Sequence, residues 1–444
     1  MSVTSNPIAS VVSGVLDDLR AIVAIESVSA DPDRAAEVQR SAEAVQALIT
    51  DLGCADVKIV AAGGAPAVIA HFPAPAGRPT VCLYAHHDVQ PEGDPSLWRS
   101  DPFVATESDG RLFGRGAGDD KGGVAVHLAA LRAYGGKPPV GVTLFIEGEE
   151  EIGSPTLSAL LAAHRDELAA DVYVIADSGN WTVGTPAFTT TLRGLGEAYV
   201  EVRTLDHALH SGQFGGVAPD ALMVLVRLLA SLHDDRGNVA VAGLHAGTGP
   251  DLDYPADRLA VETGILPGVD YIGDGSVVDR IWAKPSITVL AIDATPVAKA
   301  SNTLSPSARA KISLRVAPGD DAARAQQRLV EHLRSHVPWG AQVTVTPGES
   351  GQPSTIPFSG PYADAAQQAY TTAWGTAPVT TGQGGSIPMV AEFAAAFPSA
   401  TVLVTAVCDP DSRMHGANES LHLGDFAKAC HAEALFLQAL ADLP

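Results

Sequence analysis

The sequence is poor in several residue types, and each shortage excludes a class of protein or partner. Lys and Arg number only 28 in 444 residues, against 51 Asp and Glu, so the formal net charge is -23. A charge of that sign disfavours nucleic acids and anionic membrane surfaces as partners. No run reaches the roughly 18 apolar residues that a membrane-spanning helix needs. The composition therefore predicts a soluble protein with a solvated acidic surface.

Cysteines are also scarce, and the first residues of the chain are neither basic nor strongly apolar. The four cysteines contain no C-x-x-C pair, so neither a zinc ribbon nor a disulfide framework is indicated. Residues 1–8 include no Lys or Arg and no apolar core, so we expect no secretory signal there. A reducing cytoplasm is the predicted location.

Apolar residues are abundant, at 46%, and their pattern changes along the chain. Up to about residue 185, helical periodicities alternate with short apolar runs typical of buried strands, such as residues 80–84, 140–146 and 172–176. This alternation predicts an α/β fold with a mainly parallel sheet. A length of 444 residues further favours more than one domain.

The middle of the chain follows a different pattern. Residues 187–204 alternate as antiparallel strands do, and further strands and helices follow, whereas residues 234–281 support no firm prediction. The α/β pattern then resumes towards the C-terminus. We therefore predict one domain formed by residues 1–190 and 356–444, with an α+β domain inserted at 191–355.

Histidine and acidic side chains follow the predicted buried strands or open an apolar helix. In an open parallel sheet the carboxyl ends of the strands line one crevice, so these side chains are expected to meet. Acidic groups gathered there would repel one another unless a cation lay between them. The residues concerned are His86, Asp88, Asp119, Asp120, Glu150, Glu151 and Asp177, together with His415 after the strand predicted at 400–406.

The composition of this group favours a pair of metal ions. Two histidines and three carboxylates suffice if one carboxylate bridges, and such metal pairs, about 3.5–4 Å apart, activate a water for hydrolysis. Histidine and carboxylate ligands suit zinc, and also manganese or cobalt. A further carboxylate is needed as the general base, and the adjacent Glu150 and Glu151 offer one residue for each task.

Four motifs surround these residues. They read Tyr-Ala-His-His-Asp-Val-Gln-Pro at 84–91, Gly-Arg-Gly-Ala-Gly-Asp-Asp-Lys-Gly at 114–122, Glu-Glu-Glu-Ile-Gly-Ser at 149–154 and Met-His-Gly-Ala-Asn-Glu at 414–419. Together they resemble the motifs of the co-catalytic zinc peptidases, a family that includes carnosine dipeptidases, aminoacylases and glutamate carboxypeptidases. The motifs occur in the order typical of that family, and their spread covers nearly the whole chain.

The resemblance implies which residues bind the metals. Asp119 would be the carboxylate that bridges the two ions. The remaining ligands would be His86 and Asp177 for one ion, and Glu151 and His415 for the other. The domain that carries them, residues 1–190 and 356–444, would be the catalytic domain.

Two carboxylates near the ligands would act without binding metal. The resemblance assigns to Glu150 the role of general base, which takes a proton from the metal-bridging water and passes it to the leaving amine. It assigns to Asp88 the role of orienting His86. Both residues are therefore candidates for the catalytic machinery.

Three details of the motifs add to these expectations. The family pattern has a Gly where Ala85 stands, a change that we expect only to tighten the packing. His87 faces the opposite side of the strand from His86, so we expect that it does not bind metal. The bond between Asp119 and Asp120 is expected to be cis, as it is in the family.

The inserted domain resembles the family's lid, through which subunits form a homodimer. His210, in Leu-His-Ser-Gly-Gln-Phe-Gly-Gly, would reach the active site of the partner subunit and stabilise the oxyanion. Asn302 would contact a polar group of the substrate, and Arg315 would hold its C-terminal carboxylate through two parallel hydrogen bonds. Gly385 and Ser386 belong to a glycine-rich turn, Gly-Gly-Ser-Ile-Pro, whose backbone would meet the substrate.

Within the family, Asp177 and its context Ala-Asp-Ser-Gly-Asn-Trp are more similar to the dipeptidase branch. The resemblance thus implies hydrolysis of dipeptides or short peptides with a free C-terminus, by a metal-bridged hydroxide with Glu150 as the base. It implies two divalent metals per subunit, zinc first and manganese or cobalt as alternatives. The nearest rival function is that of an N-acyl amino acid amidohydrolase with the same residues. A catalytically inactive binding protein of the same fold is the rival from another class.

Overall fold

The computed structural model describes residues 5–385 and 388–443. The chain divides into two compact units. The first unit comprises Met1–Thr190, Ile356–Thr381 and Pro388–Pro444, and the second comprises Thr191–Thr355 and Gly382–Ile387. The catalytic and lid roles expected for the two parts of the chain stay predictions.

The helices follow the apolar periodicities of the sequence, and several begin after an aspartate that accepts a hydrogen bond from the first turn. Asp120 and Asp220 cap two of them in this way. In the described residues the helices are α1 (Ser5–Val23), α2 (Ala35–Asp51), α3 (Lys121–Ala133), α4 (Leu157–Ala163), α5 (Arg165–Leu168), α6 (Ser211–Phe214), α7 (Ala221–Ala230), α8 (Ala256–Thr263), α9 (Ala322–Ser335), α10 (Pro361–Trp374), α11 (Pro388–Ala396) and α12 (Leu423–Asp442). Short 3-10 helices occur at Pro32–Arg34, Pro95–Leu97, Glu150–Ile152, Val297–Lys299 and Pro338–Gly340, and a π-helix occurs at Asp279–Ala283.

The strands are longest in the two large sheets. In the described residues they are β1 (Asp56–Val60), β2 (Ala67–Phe72), β3 (Thr80–His86), β4 (Thr106–Ser108), β5 (Arg111–Phe113), β6 (Gly141–Glu147), β7 (Val172–Ile175), β8 (Ala187–Leu192), β9 (Gly194–Arg203), β10 (Leu209–His210), β11 (Ser286–Asp293), β12 (Thr303–Leu304), β13 (Ser307–Val316), β14 (Gln342–Gly351), β15 (Ser354–Thr355), β16 (Val379–Gln383), β17 (Thr401–Val404) and β18 (Ser420–His422).

The largest sheet has a parallel centre. Its order includes β1-β2-β6-β3-β7-β17-β8. β3 runs parallel to both β6 and β7, and β17 runs parallel to β7. The pairs β1–β2, β2–β6 and β17–β8 are antiparallel. Helices connect the parallel strands, so the predicted α/β fold class with a mainly parallel sheet is confirmed.

Apolar side chains cover both faces of β3. On one face, Leu83 and Ala85 are fully buried in a cluster shared with α1, α3, α10 and α12. On the other face, Tyr84 packs edge-on against Phe393 of α11, with ring centroids 5.7 Å apart. Such burial on both faces is typical of a central parallel strand. It fixes the position of the last residue of β3, His86.

The second unit is built on a four-stranded antiparallel sheet with the order β11-β13-β9-β14. The helices α7 and α9 pack on it around aliphatic side chains such as Val200, Leu228, Ile312 and Leu329. β11 forms one edge of this sheet, and its side chains are exposed from Leu290 to its end. This unit therefore has its own hydrophobic core.

Some elements differ from those predicted. The apolar spacing of residues 154–168 predicts one helix, but the chain forms two, α4 and α5, because His164 between them has non-helical angles, φ -116° and ψ 23°. The sequence predicts a short strand at 343–346, whereas β14 extends over Gln342–Gly351 and pairs with β9 along most of its length. The glycines of segment 110–118 predict a loop, yet the segment contains β5, which pairs with the distant β18. No helix within residues 5–385 and 388–443 has the length and apolar character to span a membrane.

Candidate metal centre

The four central parallel strands end at one edge of the large sheet, and predicted metal-binding residues follow each of them. β3 ends at His86 itself, and Glu150 and Glu151 form the 3-10 turn after β6. Asp177 lies two residues beyond β7, and His415 lies in the long loop after β17. The topology therefore brings residues from four separate places in the chain to one edge.

Asp119 lies between two histidines. Its Oδ1 is 3.1 Å from Nε2 of His86, and its Oδ2 is 3.0 Å from Nε2 of His415. The same nitrogen of His415 lies 3.2 Å from Oε2 of Glu151. The peptide bond between Asp119 and Asp120 is cis, which confirms that prediction. A carboxylate that presents one oxygen to each of two histidines has the arrangement of a bridging ligand.

The candidate ligands form two overlapping groups. In one group, ligand atoms of His86, Asp119 and Glu151 all lie within 4.8 Å of one another. In the other, ligand atoms of His86, Glu150 and Asp177 do so. Imidazole nitrogens and carboxylate oxygens are donors that zinc, manganese and cobalt accept. These residues therefore fit a pair of divalent cations.

Burial and mutual repulsion shift the acid–base equilibria of the group. Burial, and then the charge of Asp119, raise the pKa of Asp177 to about 7. Burial, and then the charge of Asp177, raise the pKa of Glu150 well above its ordinary value. Hydrogen bonds with Asp119 and Glu151 raise the pKa of His415 to about 10. A cation among these groups would remove the repulsion between the carboxylates and favour their ionised forms.

Asp88 is fully buried and contacts two parts of the centre. Its Oδ1 is 3.3 Å from Nδ1 of His86, and its backbone carbonyl O is 3.0 Å from the same nitrogen. Its carboxylate also accepts hydrogen bonds from the N–H groups of Glu150 and Glu151, at 3.2 and 3.1 Å. One side chain thus restrains both the ring of His86 and the turn that carries Glu150 and Glu151.

His87 turns away from this group. Its Nε2 lies 2.9 Å from the carbonyl O of Pro66. Burial lowers the pKa of His87 to about 4, so the ring is neutral at physiological pH. His87 belongs to neither group of candidate ligands, which agrees with its expected direction along β3.

Comparison with known proteins identifies the family. Residues 82–439 match the family described as Peptidase family M20/M25/M40. The chain belongs to this peptidase family. The matched region includes every candidate ligand, from His86 to His415.

Several dipeptidases resemble this M20 peptidase over nearly its full length. The cysteinylglycine-S-conjugate dipeptidase of Corynebacterium striatum is 34% identical over 430 residues, which cover 95% of this chain and 94% of that protein. The crystal structure of human carnosine dipeptidase 1 shares 26% identity and a TM-score of 0.78, and the match covers 99% of both chains. The fold is also that of the dipeptidase Dug1p of Saccharomyces cerevisiae, with 24% identity, a TM-score of 0.81 and 100% of both chains covered.

Two of the expected substrate contacts of this M20 peptidase are neighbours in the second unit. His210 ends β10, and its Nδ1 accepts a hydrogen bond from the N–H of Gly212. The next residue, Ser211, donates its N–H to the carbonyl O of Asn302 at 2.9 Å. The structure therefore brings His210 and Asn302 together at the short β10–β12 pair.

The other expected substrate contacts lie elsewhere in the second unit. Arg315 is half-buried near the end of β13. Gly385 is exposed and follows Gly384, whose carbonyl O accepts a hydrogen bond from Nε of Arg193 at 3.3 Å. Ser386 lies outside the described residues.

Sequence reasoning assigned no role to Arg115 and Glu419, although both lie within the motifs. Oε1 of Glu419 accepts hydrogen bonds from the N–H groups of Gly118 and Asp119, each at 3.0 Å. Its Oε2 lies 2.5 Å from Nη1 of Arg115, and both side chains are buried. This pair holds the backbone that carries the candidate bridging ligand. The only sequence signal was that one motif contains the positive Arg115 and another contains the negative Glu419, 304 residues away.

Lys121 and Gln90 are two further motif residues with defined contacts. Nζ of Lys121 donates hydrogen bonds to the carbonyl oxygens of Ile22 and Ile25, each at 2.8 Å. It thereby closes the C-terminal end of α1. Nε2 of Gln90 donates to Oε2 of Glu151 at 2.8 Å, which restrains that carboxylate.

Proposed function

We propose that this M20 peptidase is a metal-dependent dipeptidase that hydrolyses dipeptides or short peptides with a free C-terminus. The observation that carries the proposal is the position of Asp119, whose oxygens face His86 and His415. Glu150 lies close by, in the second group of candidate ligands that shares His86. The proteins from C. striatum and human support the choice of substrate, since both are dipeptidases.

We assign two divalent metal ions to the group, zinc first and manganese or cobalt as alternatives. Asp119 would bridge them. The other ligands would be His86 and Asp177 for one ion and Glu151 and His415 for the other. Ions bound there polarise a scissile carbonyl and lower the pKa of a water molecule. The protein contributes the fixed positions of these side chains.

We assign the proton transfer to Glu150. Its side chain is 16% exposed, whereas that of Glu151 is only 3% exposed. Its Oε2 lies 3.9 Å from Nε2 of His86, beyond hydrogen-bond distance, so it is less constrained than the carboxylate of Asp119. Burial and neighbouring charge raise its pKa, as is typical of a group that accepts a proton near neutral pH and then delivers it to a leaving amine.

We assign the substrate contacts to residues of the second unit. Arg315 would bind the C-terminal carboxylate through paired hydrogen bonds, and Asn302 would bind a polar group of the peptide. The backbone of Gly385 and Ser386 would lie along the substrate. His210 would stabilise the oxyanion in the active site of a partner subunit.

A homodimer that forms through the second unit is part of the proposal. At the free edge of β11, Leu290 and Ile292 are 52% and 40% exposed, and on α7 Met223 and Val226 are 48% and 51% exposed. Apolar side chains beside an unpaired strand edge are typical of a surface that pairs with another chain. Sedimentation should give the mass of a dimer, and a monomer would contradict this assignment.

We also propose a cytoplasmic location. The four cysteines are all free and buried, which agrees with a reducing compartment. Fractionation of the source cells should recover the protein with cytosolic markers. Recovery with secreted proteins would contradict this location.

The experiment that tests the function compares dipeptides with N-acetyl amino acids as substrates of the purified protein, with zinc, manganese or cobalt added. We expect hydrolysis of dipeptides to dominate. An N-acyl amino acid amidohydrolase would use the same residues, so a preference for N-acetyl substrates would contradict the dipeptidase assignment. Binding without hydrolysis of either class would indicate an inactive binding protein instead.

A further inference from the structure

The second unit contains two guanidinium groups that lie close together. Arg193 stands between β8 and β9, and Arg315 lies on β13 opposite Leu195 of β9. Diagonal neighbours on adjacent strands are about 7–8 Å apart, within reach of long side chains. Burial, and then the positive charge of Arg315, lower the pKa of Arg193 to about 10, so Arg193 stays charged at neutral pH.

Neither guanidinium has an acidic partner in the part of the chain that the structure describes. The side chain of Arg193 donates to neutral oxygens, notably to Oγ of Ser286 at 3.0 Å and to the carbonyl O of Gly384 at 3.3 Å. The side chain of Arg315 forms no hydrogen bond or ion pair with the described residues, although it is half-buried. Buried charges are normally paired. In a chain of net charge -23, two adjacent uncompensated cations therefore indicate an anion that comes from outside the chain.

Arg193 also holds the glycine-rich turn in place. Its backbone N–H donates to the carbonyl O of Gln383 at 3.1 Å. A Cβ atom on Gly384 would lie only 2.9 Å from Nη2 of Arg193, so this guanidinium packs directly against the backbone of Gly384. Arg193 is thus the residue that connects the charge of Arg315 with the Gly384–Gly385 turn.

We propose that Arg193 is a specificity-determining residue that forms, together with Arg315, a doubly positive site for the C-terminal carboxylate of the peptide. The inference rests on the proposed function and adds a second guanidinium to the one assigned there. Arg315 is free to bond the carboxylate, while Arg193 is held by Ser286 and Gly384 and supplies a fixed charge. A substrate with a neutral terminus leaves both cations without a counter-charge, so the site rejects it.

The test measures kcat and KM for alanylalanine and for its C-terminal amide in wild type and in Arg193→Met. The variant should raise KM for the free acid about tenfold or more with little change in kcat, because a charged contact made by the bound substrate is lost. KM for the amide should rise less than KM for the acid, since the amide brings no charge to the site, so the preference for the acid falls. Equal changes for acid and amide would overturn the inference.

Arg309→Met is the matched control. Arg309 lies on β13, six residues before Arg315, and is exposed. Its guanidinium stands over the ring of Tyr199, 5.4 Å from the ring centroid. Its replacement removes the same charge from the same unit and should leave the preference for the acid unchanged. A loss of preference equal to that of Arg193→Met would show that only net charge matters and would contradict a defined site.

Two further variants keep the inference testable if Arg193→Met fails to fold. Arg193→Lys keeps the charge, but an ammonium cannot bond Ser286 and Gly384 at the same time. Its preference for the acid should therefore lie between that of wild type and that of Arg193→Met. In an Arg315→Met background, Arg193→Lys should raise KM for the acid less than it does in wild type, because the two residues share one ligand. An Arg193→Lys variant that prefers the acid as strongly as wild type does would count against the shared site. So would effects of the two substitutions that simply add in the double variant.

Separate measurements distinguish a wrong carboxylate site from a wrong proposed function. A wild type that cleaves no dipeptide with added metal contradicts the function, whatever Arg193 does. Calorimetric titration with a phosphinic analogue of alanylalanine and with its amide still measures the preference for a carboxylate. Wild type should bind the acid analogue at least about tenfold more tightly than the amide analogue, and Arg193→Met should lose this difference. Equal affinities of wild type for the two analogues would overturn the inference.

Discussion

Oδ1 of Asp88 lies 3.3 Å from Nδ1 of His86, while the same carboxylate accepts hydrogen bonds from the N–H groups of Glu150 and Glu151. A carboxylate behind a metal-binding histidine fixes the ring orientation and raises the basicity of the nitrogen that faces the metal. Here it also restrains the turn that follows β6. Asp88 therefore couples the ends of two neighbouring strands, and its loss should affect the ligands assigned to both metals.

Asp88→Asn should weaken metal binding by about 10- to 100-fold, because an amide cannot supply the same negative charge to His86. Affinity is measured by competition with a chromophoric chelator. Asp94→Asn is the control, since Asp94 is exposed and only caps the turn Pro95–Leu97. Unchanged affinity in Asp88→Asn would show that the contact with His86 has no influence on the metals.

Glu150→Gln should lower kcat by about 10²- to 10⁴-fold and leave the metal content unchanged, since the amide cannot accept the proton. Glu151→Gln is the companion variant and should reduce metal content, because Glu151 is assigned as a ligand. Steady-state kinetics and elemental analysis of the purified proteins measure the two effects. Full activity in Glu150→Gln would refute its role as the base.

The fold class and the general location of the centre could be predicted because the signals are local. Each apolar run that becomes β3, β6 or β7 is directly followed in sequence by its polar residues, so the rule for parallel sheets places them at one edge. The direction of His87 follows from the alternation along β3 in the same way. The resemblance of the motifs added the order and the expected roles of these residues.

Contacts that join distant parts of the chain could not be predicted. The pair Arg115–Glu419 links motifs 304 residues apart, and only the folded chain shows that Glu419 holds the backbone of Asp119. Arg193 lies outside every motif considered, and its partners Ser286 and Gly384 are 93 and 191 residues away. Periodicity describes which face of an element is apolar, and it carries no information about such pairings.

Removal of the metals should abolish hydrolysis and lower the melting temperature. A ligand bound only to the native state stabilises it, by about 4 kcal/mol at 1,000 times its Kd. Without cations, Asp177 and its neighbours repel one another, as the raised pKa of Asp177 indicates. Treatment with a chelator, followed by addition of zinc, manganese or cobalt, measures loss and recovery of both quantities. Activity that survives complete removal of metal would contradict the proposed mechanism.

Variants of single ligands should separate the two ions. Asp177→Asn and His415→Ala remove ligands assigned to different metals, so each should reduce the bound metal from about two equivalents towards one. Asp119→Asn should reduce it further, because Asp119 faces both histidines. Titration with a metal-sensitive dye measures these stoichiometries. Equal loss in all three variants would argue against two distinguishable sites.

A buried ion pair beneath β3 should make stability depend on pH. Nδ1 of His127 lies 2.8 and 2.9 Å from the two carboxylate oxygens of Glu433, and its Nε2 lies 2.9 Å from the carbonyl O of Tyr84. Both ring nitrogens face acceptors, so the ring is doubly protonated. Burial alone would lower the pKa of His127, but the charge and hydrogen bond of Glu433 outweigh it and raise the pKa. The pair tethers α12 to β3 two residues before His86.

Glu433→Gln leaves a buried charge without its partner and should lower the free energy of unfolding by about 3–5 kcal/mol at pH 6. The folded pKa of His127 lies above the unfolded value of about 6.5, so the pair contributes fully below that pH and loses its effect as the pH rises through the folded pKa. The difference between wild type and Glu433→Gln should therefore shrink between pH 6 and pH 9. Denaturant unfolding at both pH values measures it. Glu331→Gln, which removes an exposed pair with Arg328, should cost at most about 1 kcal/mol. A difference that widens with rising pH would show that His127 is neutral in the folded protein.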